Sequence, residues 1–172
     1  KVTIAVCANR QEGIEKLQDR ADIILLDDAF QHRNIDPGLN ILLTEYQYPY
    51  TKDFLLPSGR LREWSSAAQR ADIIIVSKCP SELSDWKREE MIAELAPLNY
   101  QKIFFSYYTY LKPYYIFNTI YRAPLNPELT VLLISAIART EYLVEHLETQ
   151  VDSVRVLQYE DHHYFTNYDV SH

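Results

Sequence analysis

Asp27 and Asp28 stand side by side at the end of the apolar run Asp22-Ile23-Ile24-Leu25-Leu26, and Gln31 and His32 follow at once. Adjacent carboxylates suit a divalent cation. One binds Mg²⁺ directly or through water, and the other holds that water or orients a neighbour. A short apolar run reads as a strand buried on both faces, and open α/β sheets take their ligands outside the carboxyl ends of the strands. The same two acids also have a plainer use, one capping a turn and the other solvated. Gln31 and His32 shift the balance toward a site, since both keep hydrogen-bonding groups beside the acids. Arg10 closes an earlier apolar run, residues 2–7. It faces the same crevice if the two strands are neighbours, and its fork suits phosphate. Otherwise it is a solvated charge at a helix start.

Two further groups have chemistry available. Arg60 and Arg62 follow the turn Pro57-Ser58-Gly59 and precede Glu63. At positions i and i+2 of an extended stretch they point the same way, as a clamp for an anionic substrate or as linker charges. Near the end, Asp161-His162-His163 follows an apolar segment. A carboxylate fixes the tautomer of a histidine and raises its basicity, which suits acid–base work. Neighbours on a strand face opposite ways, so the partner of His162 can also come from elsewhere. The fourteen tyrosines cluster at 46–50 and 107–121, as a sugar- or lipid-binding face or as strand-compatible core and rim.

The elements that must position these groups alternate. Strands are expected at residues 2–7, 22–26, 39–44, 72–77, 102–107, 114–118, 129–136 and 153–159. Helices are expected at 11–20, at 84–95 with Ser84 as cap and Pro97 as stop, and at 139–149. Alternation of this kind implies an α/β fold with mainly parallel, covered sheets. The polar, aromatic stretch 46–70 is the candidate hinge, so the division expected is 1–50 and 51–172. Length allows one domain or two small ones. A net charge of −7 leaves no basic footprint for nucleic acid. Cys7 and Cys79 read as free thiols, and no segment has the length or character of a membrane span or signal peptide. Three glycines in all cannot make a Gly-rich phosphate loop. Lys1 runs straight into an apolar strand, as in a piece of a longer protein.

Taken together, Leu26-Asp27-Asp28-Ala29-Phe30-Gln31-His32-Arg33, Leu55-Leu56-Pro57-Ser58-Gly59-Arg60-Leu61-Arg62-Glu63 and Asp161-His162-His163 resemble the tetraacyldisaccharide 4'-kinase (lipid A 4'-kinase) family. The form is similar to that of Bacteroidetes-type Gram-negative bacteria, and the resemblance covers nearly the whole chain. It implies transfer of the ATP γ-phosphate to the 4'-hydroxyl of a tetraacyldisaccharide 1-phosphate, giving lipid IVA. It implies a P-loop NTPase-like sheet, of which residues 1–50 are the C-terminal portion, and a second, smaller α/β domain. ATP and Mg²⁺ are then the cofactors. Asp27 and Asp28 hold the metal, Arg10, Gln31 and His32 line the nucleotide site, and Asp28, Arg62 and His162 serve catalysis. The Walker-A loop, the aspartate base and a segment associating with the cytoplasmic face of the inner membrane are expected before Lys1. The isolated piece is therefore expected to be catalytically dead and to bind ATP feebly.

Three positions depart from the family pattern. Ala29 replaces a more usual Gly, Arg60 stands where Pro is common, and Ala138-Arg139-Thr140 replaces an Asn-Pro helix start. Either Arg60 or Arg62 can then carry the phosphate role. Two rivals compete with the kinase. One is a metal-dependent DHH-type phosphoesterase, in which His32, Asp27, Asp161 and His162 share Mn²⁺, although the scarcity of glycine speaks against it. The other is a non-catalytic α/β binding module.

Overall fold

A computed structural model of the chain describes residues 2–161, 163–166 and 169. The chain forms two compact units, residues 1–108 and 109–172. The expected division at 50/51 falls inside the first unit, because two strands pair across it. Both units are α/β with parallel pairing.

In the first unit the sheet is β1 (Ile41–Glu45), β2 (Ile73–Ser77) and β3 (Lys102–Phe105), all parallel and in the order β1-β2-β3. The β-branched run Ile73-Ile74-Ile75-Val76 takes the centre, where such residues pack best on a pleated surface. Side chains alternate between faces. Leu42, Ile74 and Ile103 lie in register on one face, as do Thr44, Val76 and Phe105. Ile74 and Val76 are completely buried, clustered with Leu83, Met91 and Leu95. The opposite face leaves Ile41, Leu43 and Phe104 exposed.

Met91 and Leu95 belong to α2 (Asp85–Leu95), a helix with legible ends. Ser84 is extended and accepts from the Lys87 amide, and Ala96 turns left-handed at φ 44° to end the helix ahead of Pro97. α1 (Arg10–Leu17) starts at Asn9, whose side chain accepts from the Gln11 amide, and it buries no residue.

The expected strands at 2–7 and 22–26 do not form. Both runs lack regular secondary structure, no ladder among the described residues reaches them, and Val2, Ile4, Val6, Ile23 and Leu25 are exposed. Their composition suits a strand buried on both faces. Such a strand exists only with a neighbour to accept its amides, and none of the described strands pairs with either run.

In the second unit, β4 (Tyr114–Tyr115) and β5 (Asn118–Arg122) make an antiparallel hairpin. β6 (Thr130–Ser135), α3 (Glu141–Glu148) and β7 (Ser153–Gln158) form a βαβ unit whose strands pair in parallel over their whole length. Leu147 and Val151 are its buried apolar residues, and Thr140 at the start of α3 is also buried, its hydroxyl donating to Gln158 Oε1 at 3.3 Å. The remaining expected elements fall within a few residues of their places. At residues 114–118 a whole hairpin stands where one strand was expected.

Candidate functional site

The site begins with a loop that locks itself. The Leu56 amide donates to the Leu61 carbonyl at 3.0 Å, the Gly59 amide to Leu55 at 3.0 Å and the Leu61 amide to Phe54 at 2.9 Å. Inside this turn the Asp53 carboxylate accepts from the amides of Phe54 (2.8 Å) and Arg60 (3.1 Å) and from Arg60 Nε (3.1 Å). The Phe54 amide, then Arg60, holds Asp53 below the ordinary carboxylate range. A Cβ at Gly59 would collide with the Phe54 backbone and the Asp53 carboxylate, so the third residue of Pro57-Ser58-Gly59 has to be glycine. Arg60 is thereby committed to Asp53, its guanidinium over the Tyr48 ring.

Arg62, two residues on, reaches the other motif. Its Nη1 donates to Asp28 Oδ2 at 2.9 Å across 34 residues of sequence. Asp28 sits at φ 48°, left-handed, a conformation Asp tolerates better than most residues. The left-handed residue is thus Asp28, and Ala29 has the ordinary φ its side chain requires. Both members of the pair are more than half exposed, so its worth to stability is small, about 0–1 kcal/mol.

What holds the two segments together lies one residue further along. Glu63 accepts from Arg70 at 2.6 and 3.2 Å, as a fork, and from Arg33 at 3.0 Å. Arg70 also donates to the Phe30 carbonyl at 3.0 Å and lies over the Phe30 ring. The Arg70 hydrogen bonds, then those of Arg33, lower the Glu63 pKa. This clamp ties Phe30 and Arg33, on either side of Gln31-His32, to Leu61-Arg62-Glu63. Sequence reasoning named Glu63 and Arg33 only as parts of motifs and missed Arg70. The signal of the two arginines was faint, one in each flank of an acid-bearing turn.

Asp27, Gln31 and His32 are exposed beside the clamp, and Gln31 lines a shallow pocket with Phe30, Leu42, Tyr50 and Arg62. At about 70 Å³ this pocket is too small for a nucleotide. Arg10 opens α1 and donates to the Ala8 carbonyl at 3.1 Å. Among the described residues no ion pair joins it to Asp27 or Asp28, and no group of three metal-ligating side chains gathers. Two exposed carboxylates nevertheless fit Mg²⁺, which typically takes one or two from a protein and fills its octahedron with water and phosphate oxygens.

A second polar feature lies at the carboxyl edge of the sheet. Lys78 follows β2 at φ 56° and donates to Glu45, the last residue of β1, at 2.6 Å. Both side chains are mostly buried. The sequence signal was Ser77-Lys78-Cys79-Pro80 directly after a strand. Cys79 is buried, which raises its pKa, and both cysteines are free thiols.

In the second unit, His162 lies outside the described residues. His163 stacks on Tyr159 with 4.4 Å between ring centroids and meets the edge of Phe165. Its Nε2 is 3.3 Å from Asp169 Oδ2, close enough for attraction but not aligned as a hydrogen bond. Thr166 donates to the same carboxylate through amide and hydroxyl and is the main reason its pKa is lowered. Asp169 is a partner the sequence did not single out.

Comparison with known proteins identifies the family of the chain. The family described as tetraacyldisaccharide-1-P 4'-kinase matches residues 1–172. The chain is 38% identical to a tetraacyldisaccharide 4'-kinase of Bacteroides thetaiotaomicron, over 98% of this chain and 48% of that protein. It is 39% identical to one of Flavobacterium psychrophilum, over 99% and 50%, and 40% identical to one of Flavobacterium johnsoniae, over 98% and 50%. The chain thus spans about half the length of the curated relatives it matches. No solved structure matches it. The chain belongs to the tetraacyldisaccharide-1-P 4'-kinase family.

Proposed function

We propose that this chain carries part of an ATP-dependent kinase that phosphorylates the 4'-hydroxyl of tetraacyldisaccharide 1-phosphate, giving lipid IVA, at the cytoplasmic face of the inner membrane. The observation that carries the reading is the Asp28–Arg62 ion pair, which joins the acid motif to the Leu-Arg-Glu motif. Phosphoryl transfer needs little covalent chemistry from a protein; it needs cations on the transferring group and acids for a metal. An exposed Arg beside an exposed Asp supplies both within one hydrogen bond.

In this reading the sheet β1-β2-β3 belongs to a P-loop NTPase-like fold. Asp27 and Asp28 hold Mg²⁺, which when bound neutralises charge on the nucleotide phosphates. Arg62 leaves Asp28 for a phosphate oxygen when nucleotide arrives, and Asp28 is then free for the metal. Arg60 does not compete for that role, because Asp53 occupies it. Arg10, Gln31 and His32 contact the nucleotide, and His162 works on the proton of the acceptor hydroxyl. The Glu63 clamp positions Arg62 and touches neither substrate nor metal.

The test is transfer of labelled γ-phosphate from ATP to tetraacyldisaccharide 1-phosphate by the full-length protein. Asp28→Asn and Arg62→Ala should each lower kcat by about 10²-fold or more, while Arg60→Ala should leave transfer within a fewfold once the protein is folded. Full activity of both Asp28→Asn and Arg62→Ala would sink the reading. The 172-residue chain alone should give no measurable turnover, since its three glycines leave no phosphate-cradling loop among these residues.

A further inference from the structure

The second unit holds a cluster of side chains that the proposed reaction does not use. His163 is packed face to face on Tyr159, with 4.4 Å between ring centroids, and edge to face on Phe165 at 5.3 Å. Tyr159 and Phe165 also meet each other edge to face, at 5.3 Å. The fourth member is Asp169, 12% exposed, whose Oδ2 lies 3.3 Å from the buried Nε2 of His163. Thr166 holds the same oxygen from its amide and from its hydroxyl, both at 2.7 Å.

Two backbone hydrogen bonds tie this cluster to its surroundings. The Tyr159 amide donates to the Ser135 carbonyl at 2.8 Å, which fastens the stack to the last residue of β6. The His163 amide donates to the Glu160 carbonyl at 3.0 Å, and the two residues between them in sequence are Asp161 and His162. That amide belongs to the peptide joining His162 to His163, and a peptide is planar. Fixing it removes freedom from position 162 without any side-chain contact there. A plainer account is that Asp169 reaches back to the Thr166 amide as half of a capping box, and that the rings are local packing. It explains Thr166 and Asp169 but not the residue type at 163. Leucine would fill the space between two rings as well as imidazole does. Imidazole alone also sets a ring nitrogen toward a carboxylate.

We propose that His163 is a positioning residue for phosphoryl transfer: held by Tyr159, Phe165 and Asp169, it fixes the peptide that follows His162. The inference rests on the kinase reading, in which His162 works on the proton of the acceptor hydroxyl. Acid–base catalysis needs that imidazole within hydrogen-bond reach of the proton, and a reacting group misplaced by about 1 Å can cost ~10²-fold in rate. In this role His163 touches neither substrate nor metal. Its anchors divide the work. The rings restrain the plane of the His163 imidazole, and the carboxylate restrains its rotation within that plane.

The experiment is a double-mutant cycle in the full-length protein, read by transfer of labelled γ-phosphate from ATP to tetraacyldisaccharide 1-phosphate. His163→Ala should lower kcat by about 10- to 100-fold and leave KM for both substrates within about twofold. His163→Phe keeps the stack and loses the carboxylate contact, so its kcat should fall between those of the parent and His163→Ala. It carries the same cycle if His163→Ala does not fold. Against the residual activity of His162→Ala, either change at 163 should lower kcat no further, because its effect passes through His162. A merely structural residue would lower kcat by the same factor in both backgrounds, and that result overturns the proposal. Parental kcat for both His163 variants, with His162→Ala impaired, overturns it alone. Parental kcat for His162→Ala overturns the role of His162 and this inference together. Proton NMR of the 172-residue chain gives a readout free of catalysis. The His163 ring protons should be shifted upfield by Tyr159, and Tyr159→Leu should return them toward free-histidine positions. Unshifted signals in the parent chain would remove the stack and the proposal with it.

Discussion

Glu63 is the residue on which the site turns, because one carboxylate satisfies two arginines from separate segments. Hydrogen bonds to charged groups are each worth about 1.5–3 kcal/mol. Glu63→Gln keeps the shape and removes the charge, so it should lower stability by roughly that amount, read as a shift of the urea midpoint. The pH dependence follows from the same group. Glu63 and Asp53 both titrate below their ordinary range in the folded chain, so the unfolded state binds protons more tightly. Their stabilisation is therefore complete at neutral pH and disappears as pH falls below the ordinary carboxylate range. Glu63→Gln should flatten that acid limb, and an unchanged limb would place its origin elsewhere. Gly59 and Gly38 give a paired contrast. Gly59→Ala meets backbone on one side, while a Cβ at Gly38 meets nothing within 4 Å. The first should destabilise by about 1–3 kcal/mol and the second should be nearly silent in a thermal melt.

At the scale of elements, α2 shows how far local chemistry reaches. Its start is a Ser84 cap with a long 3.5 Å hydrogen bond, so Ser84→Ala should cost about 0.5–1 kcal/mol, the low end for a lost cap. Its end places Ala96 at φ 44°, where a Cβ is penalised and glycine is not. Ala96→Gly should therefore stabilise the chain by up to about 1 kcal/mol, the usual preference for glycine at a left-handed helix end, measured by chemical denaturation. Leu95, 4% exposed against Ile74 and Val76, should cost about 2–5 kcal/mol as Leu95→Ala. The boundaries of α2, β2 and β6 were readable because cap, stop and β-branched run all lie within a few residues of each other. The hairpin β4–β5 was not, because Tyr114 to Arg122 has no Gly or Asn-Gly turn to announce two strands.

Across the whole molecule, protection should be uneven. β2 is hydrogen-bonded on both sides and sits at the centre of its core. Residues 2–7 and 22–26 have the composition of β2 and none of its ladder. In hydrogen exchange the amides of 74–76 should be the slowest of the first unit and those of 2–7 and 22–26 among the fastest. Protection of 22–26 equal to that of β2 would show that this run has found a partner strand.

Residue types and their spacing alone established the acid pair, the arginine pair, the alternation of strands and helices and the family resemblance, because those depend on local order along the chain. Which arginine was available did not. Arg60 and Arg62 differ by two positions, and only the folded turn around Asp53 commits one and leaves the other to Asp28. Nor could composition reveal that two apolar runs read as strands would stand unpaired, since a strand is completed by hydrogen bonds to another segment. The same holds for the tyrosines. Their number was evident from the start, but their exposure on β4–β5 is a property of what packs against them, which only the tertiary structure decides.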